Sequence, residues 1–128
     1  MIKIMPITTR NKHPEPAKTS TSLGSIKVAG IQMASSPQVG SNLTEAERLI
    51  AIAAGQGAKI VVLPEYFCIM GIKDIDKVAV RETAGDGPIQ RFLAKMAKKY
   101  KIWLIGGTVP ISSNYPNKVR NSCLVFSS

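Results

Sequence analysis

Residues 59–65 read Lys59-Ile60-Val61-Val62-Leu63-Pro64-Glu65. The apolar run is too short for a helix and rich in β-branched residues, so it is expected to form a buried central strand of an α/β sheet. It runs directly into a proline and a carboxylate. Open α/β sheets collect their sites at the carboxyl ends of strands, which makes Glu65 the candidate functional residue. With Leu63, Pro64, Tyr66 and Phe67 around it, its carboxylate is expected to be partly desolvated, a condition that suits a general base. The competing reading is a strand-end acid that pairs with a lysine or caps a backbone amide.

Upstream, residues 26–33 alternate as a strand, and Ser35, Ser36 and Pro37 make a loop. Asn42, with Glu45 three residues on, is expected to cap a helix whose apolar face carries Leu43, Ala46, Leu49, Ile50 and Ala53. Gly55 and Gly57 are expected to end it. Downstream, a short helix is expected near residues 74–81. Gly85-Asp86-Gly87-Pro88 then turns into a second long helix, with Pro88 at its first position and a stripe of Ile89, Phe92, Leu93, Met96 and Ala97. Residues 101–105 form another buried strand that ends at Gly106-Gly107, where close backbone packing is expected. Residues 112–118 form a loop, and residues 120–126 a fourth strand. Helices between strands imply an α/β sheet with crossover connections.

Residues 1–25 read as a disordered basic tail, since Pro6, Pro14 and Pro16 break it and Thr, Ser and Lys dominate. A presequence is a conceivable alternative. The folded portion is expected to be residues 26–128, a single domain. A sheet that stops on an uncovered strand is expected to be incomplete at its C-terminus.

The chain carries a formal net charge of +9. Its basic residues are spread along the chain, with one group in the tail (Lys3, Arg10, Lys12, Lys18, Lys27) and a second on one helix (Arg91, Lys95, Lys98, Lys99, Lys101), a pattern that reads as a solvated face plus a basic tail, with no nucleic-acid partner. No apolar run reaches the roughly 18–20 residues of a membrane helix, so no membrane partner is expected. The two cysteines, Cys68 and Cys123, make no CxxC pair. This argues against a zinc ribbon and fits a reducing compartment. The single histidine, His13, lies in the tail, which argues against a Ser-His-Asp or Cys-His site within these residues. Both cysteines are expected to be buried structural thiols. There is no metal-ligand cluster, and no metal or cofactor is expected.

These segments together resemble the nitrilase superfamily of carbon–nitrogen hydrolases. Val28-Ala29-Gly30-Ile31-Gln32-Met33 looks like the family's first strand, and Asn42-Leu43 opens an alanine-rich helix as in the family. Gly57-Ala58-Lys59-Ile60-Val61-Val62-Leu63-Pro64-Glu65 is the sharpest match. Gly87-Pro88, Ile102-Trp103-Leu104-Ile105-Gly106-Gly107-Thr108 and Arg120-Asn121-Ser122 follow in the same order. The resemblance implies part of a four-layer α-β-β-α sandwich. It also implies cleavage of a small-molecule amide or nitrile by a cysteine nucleophile, a glutamate base and a lysine that stabilises the tetrahedral species. Only the glutamate maps onto this chain, as Glu65. The family's lysine and cysteine come after the segment that matches residues 120–126, so these 128 residues alone are expected to be inactive. A cytoplasmic protein, and a homo-oligomer at full length, are further implications. Two other readings stand beside it: a non-catalytic α/β module binding a small molecule or anion at the Gly85–Pro88 turn, and a basic interaction protein using residues 91–101.

Overall fold

The computed structural model describes residues 2–7 and 24–128. In chain order its elements are β1 (Ile2–Ile7), β2 (Ile26–Ile31), α1 (Val39–Gly55), β3 (Ile60–Val62), α2 (Asp76–Ala79), α3 (Pro88–Tyr100), β4 (Trp103–Ile105), β5 (Val109–Ser112), β6 (Val119–Ser122) and β7 (Val125–Phe126). The main sheet has the order β1-β2-β3-β4-β7. Its three inner strands are parallel, with Val28, Ile60 and Trp103 in one row and Ala29, Val61 and Leu104 in the next. Two crossover helices, α1 and α3, make this parallel pairing possible. The expected α/β sheet with crossover connections is therefore present, with β3 at its centre, and the two outer strands, β1 and β7, add to it in the antiparallel sense.

Alternation along the strands decides what is buried. Ala29, Ile31, Val61 and Leu104 lie on the face that packs against α1 and α3. Those helices return Ala46, Leu49, Ile50 and Ala53 from one and Ile89, Leu93, Met96 and Ala97 from the other. Each fully buried Leu or Met in this layer contributes roughly 1.5–3 kcal/mol. The opposite face carries Ile60 and Val62, which are half-buried, and Trp103 and Val125, which are exposed. The expectation that residues 59–63 are buried on both faces is corrected accordingly. Among the described residues no element covers that second face, so they lay down one helix layer and one main sheet of the expected four layers.

Three other expectations change. The tail over 1–25 is not irregular at its start: Ile2–Ile7 forms β1, antiparallel to β2 from Ile2↔Ile31 to Ile7↔Ile26. Among the described strands β1 is the last in the order on that side of the sheet. The remainder of the expected tail, residues 8–23, lies outside the described residues. The single strand over 120–126 is broken in two: β6 pairs with β5 in a separate small sheet, and β7 pairs with β4. The chain changes sheets at Cys123-Leu124, where the Gly106 N–H donates to the Leu124 carbonyl at 2.8 Å. Finally, α1 starts three residues before Asn42, so Asn42 is not its cap.

The helix ends follow their local chemistry. Past α1, Gly57 has φ 87°, its N–H donates to the Ala54 carbonyl, and the Ala58 N–H donates to the Ala53 carbonyl. This is a Schellman ending, with glycine in the left-handed position. Past α3 the same 6→1 bond runs from Ile102 to Ala97, but the left-handed residue is Lys101, at φ 52°. At the start of α3, Pro88 takes the first position as expected, and Gly87 has no side chain to cap the helix. The cap comes from Glu82, which is only 5% exposed. Its carboxylate accepts from the backbone N–H groups of Ile89 and Gln90 and from the Gln90 side-chain amide. Glu82 is held in place by β5: its N–H donates to the Pro110 carbonyl, and its carbonyl accepts from Ser112.

Candidate active site at the end of the central strand

β3 ends at Val62, and Leu63 continues the sheet bonding by donating to the Ile105 carbonyl at 2.9 Å. The chain then turns over residues 64–68. The Phe67 N–H donates to the Pro64 carbonyl at 3.2 Å, and the Ile69 N–H to the Tyr66 carbonyl at 3.2 Å. Leu63, Phe67 and Cys68 point into the core and are buried. Glu65 is left on the solvent side and is exposed. The expected desolvation of its carboxylate is thus corrected: Leu63 and Phe67 turn into the core, Pro64 and Tyr66 stay half-buried, and the four do not enclose it.

The turn is tightly built. Tyr66 has φ 54°, a left-handed backbone that costs about 1–2 kcal/mol for a residue with a side chain. Three contacts hold it there. Its N–H donates to the Thr108 hydroxyl at 2.9 Å, its phenol oxygen accepts from the Asn121 side-chain amide at 2.8 Å, and the Lys77 ammonium lies 4.0 Å from its ring centroid. On the other flank of Glu65, Gly107 packs directly on the Pro64 carbonyl: a Cβ there would lie 2.0 Å from that oxygen. The close backbone approach expected at Gly106-Gly107 is therefore present, and its partner is the glutamate turn itself.

A second strap comes from the loop after β2. The Asn42 side chain, 2% exposed, donates to the carbonyls of Ser36 and Cys68 at 2.8 and 2.9 Å and accepts from the Ser36 N–H at 2.8 Å. The Ser35 hydroxyl donates to the Phe67 carbonyl. The Ser36 hydroxyl also donates to the Asn42 side-chain oxygen, at 3.1 Å, so both donors and both acceptor places of this buried amide are used, which explains why Asn42 stands inside a helix and not at its cap.

Cys68 is not a nucleophile in this setting. Burial pushes its thiol up to about 12, which favours the neutral form, and its sulfur lies 3.6 Å from the Thr108 carbonyl. It is the buried thiol the sequence suggested. Cys123 is exposed, contrary to expectation, because it sits where the chain leaves one sheet for the other.

The Gly85–Pro88 turn holds no free anion site at the helix start, since Glu82 already takes the amides of Ile89 and Gln90. On the basic helix, Arg91 pairs with Asp86, and Lys99 pairs with Glu47 of α1. Grooves of about 340 Å³ beside Glu82 and about 390 Å³ beside Trp103 do not reach Glu65. Reading the sequence missed Asn42, Tyr66, Thr108 and Asn121 as builders of the turn. The one local signal was Thr108, directly after two glycines at a strand end.

The sequence model of the carbon-nitrogen hydrolase family matches residues 27–128, and the chain belongs to that family. It is 35% identical over 104 residues to an omega-amidase of Danio rerio, covering 81% of this chain and 36% of that protein. The omega-amidase of Homo sapiens is 38% identical over 103 residues, covering 80% and 36%. A deaminated glutathione amidase of Synechocystis is 38% identical over 82 residues, covering 64% and 29%. Among solved structures, Saccharomyces cerevisiae Nit3, a member of branch 10 of the nitrilase superfamily, superposes with a TM-score of 0.69 at 31% identity, over 80% of this chain and 40% of that one. The chain spans about a third of the length of the curated relatives it matches. Among the described residues no helix is long and apolar enough to cross a membrane.

Proposed function

We propose that this chain supplies the general base, Glu65, of an amidase that cleaves the C–N bond of a small carboxamide. The observation that carries the proposal is the position of Glu65, at the carboxyl end of the central parallel strand on a turn fixed on both flanks. A base at that place takes the proton of a cysteine thiol as the sulfur attacks the amide carbon. It returns the proton to the departing nitrogen, so that ammonia leaves and a thioester remains. It then removes a proton from the water that hydrolyses the thioester. A lysine ammonium beside the developing oxyanion lowers both barriers. Neither cysteine of these residues fits the nucleophile's part: Cys68 is buried and neutral, and Cys123 stands at a sheet crossing. We therefore assign the nucleophile and the lysine to sequence outside these 128 residues, and the 128 residues alone to an inactive state.

The test is ammonia release from a short ω-amide by the full-length protein. Glu65→Gln is expected to lower kcat by about 10²- to 10⁴-fold, and full activity in that variant refutes the assignment. The purified 128-residue chain is expected to release none, and release that disappears with Glu65→Gln contradicts its inactivity.

A further inference from the structure

Among the described residues Glu65 makes no hydrogen bond or ion pair of its own, yet both peptides that flank it are anchored to one short segment. Gly107 meets the Pro64 carbonyl before it, and the Thr108 hydroxyl accepts the Tyr66 N–H after it at 2.9 Å. The Thr108 carbonyl also faces the Cys68 thiol two residues further on. The Tyr66 backbone lies in the left-handed region at φ 54°. A bulky residue held there marks a place where the surroundings over-determine the chain, and such places gather at functional sites.

We infer that Thr108 is a positioning residue for Glu65, acting through the Tyr66 amide. This rests on the general-base reading of Glu65. The Tyr66 N–H is an obligatory donor. With the Thr108 oxygen as its acceptor the left-handed turn is retained, and the Cα of Glu65 is fixed between two anchored peptides. Without that oxygen the N–H loses the one contact that holds the backbone itself, the side-chain contacts to Asn121 and Lys77 remain, and the Tyr66 peptide shifts toward an ordinary conformation and takes the carboxylate with it. Thr108 touches no reacting atom in this scheme; it sets where the base stands.

The experiment compares Thr108→Val, which keeps the shape and removes the acceptor, with Thr108→Ser, which keeps the acceptor, in the full-length protein. Steady-state ammonia release from an ω-amide is the assay. Thr108→Val is expected to lower kcat by about 10- to 100-fold, as a displacement near 1 Å does, while KM stays within about twofold. Thr108→Ser is expected to restore kcat to within about threefold of the parent. Hydrogen exchange at the Tyr66 amide is expected to be slow in the parent and the Ser variant and fast in the Val variant. Parent-like kcat in Thr108→Val, or equal impairment in a folded Thr108→Ser, overturns the inference. If Thr108→Val fails to fold, the Ser variant decides: folded and active supports the role, folded and inactive overturns it. Glu65→Gln run alongside separates the two claims. Its inactivity with an active Thr108→Val removes only the positioning role, whereas its activity removes the base itself.

Discussion

The carboxylate of Glu82 fills the space in front of Gly87: a Cβ built on Gly87 would lie 2.2 Å from Glu82 Cδ and 2.4 Å from its Oε2. The residue that begins α3 without a side chain thus admits a distant side chain that does the capping. Glu82→Ala leaves the buried N–H groups of Ile89 and Gln90 without their acceptor, and is expected to cost about 2–3 kcal/mol. Gly87→Ala is expected to cost at least as much, since φ 146° also disfavours a side chain. The two changes share one contact, so the double variant is expected to lose clearly less than the sum. Urea unfolding of the three variants measures this, and strict additivity contradicts the packing described.

Asn42 bonds two carbonyls with its NH₂ group and one N–H with its oxygen. Asn42→Ala is expected to destabilise by about 2–4 kcal/mol, since it leaves buried backbone groups unpaired. Asn42→Asp is expected to be worse than alanine, because it turns a carboxylate oxygen toward the carbonyls of Ser36 and Cys68. Denaturation midpoints rank the two, and an aspartate milder than the alanine would show that the amide is oriented the other way.

The Cys68 thiol ordinarily ionises near 9.0, and burial raises it to about 12 in the folded chain. Between these values the folded state keeps a proton that the unfolded chain releases. The associated stability is complete below about pH 9 and declines as pH rises toward 12, by at most about 1.4 kcal/mol per pH unit. Stability measured from pH 8 to 11 is expected to fall more steeply in the parent than in Cys68→Ala. Under native conditions at pH 8, iodoacetamide is expected to label the exposed Cys123 and spare Cys68, as read by peptide mass spectrometry.

Lys101 ends α3 at φ 52° and ψ 51°, where a Cβ is unfavourable. Lys101→Gly is expected to stabilise the protein by roughly 0.5–1 kcal/mol, since glycine takes this backbone without steric cost. A thermal melt that shifts upward by a few degrees bears this out, and a downward shift contradicts it.

The local sequence determined the parts whose cause is local. The β-branched run at 60–62 specified a central strand, Pro88 and the apolar stripe behind it specified α3, and Gly57 specified the end of α1. The collinear set of segments from 28 to 122 also specified the family, which the match over residues 27–128 shows. What depends on long-range contact was not legible. The carboxylate that caps α3 lies outside the helix and is held by β5, so no pattern within the helix names Glu82.

The same division runs through the candidate site. The Pro64-Glu65 step at a strand end singled out the residue, because strand ends are where α/β sheets expose chemistry. Only the tertiary structure decided its surroundings. Of the apolar neighbours that promised a desolvated carboxylate, Leu63 and Phe67 turn into the core, and Glu65 is left exposed. Thr108 and Asn121 reach Tyr66 across 42 and 55 residues of sequence. A hydrogen bond is set by distance in space, and the sheet brings together the ends of strands that the chain keeps far apart.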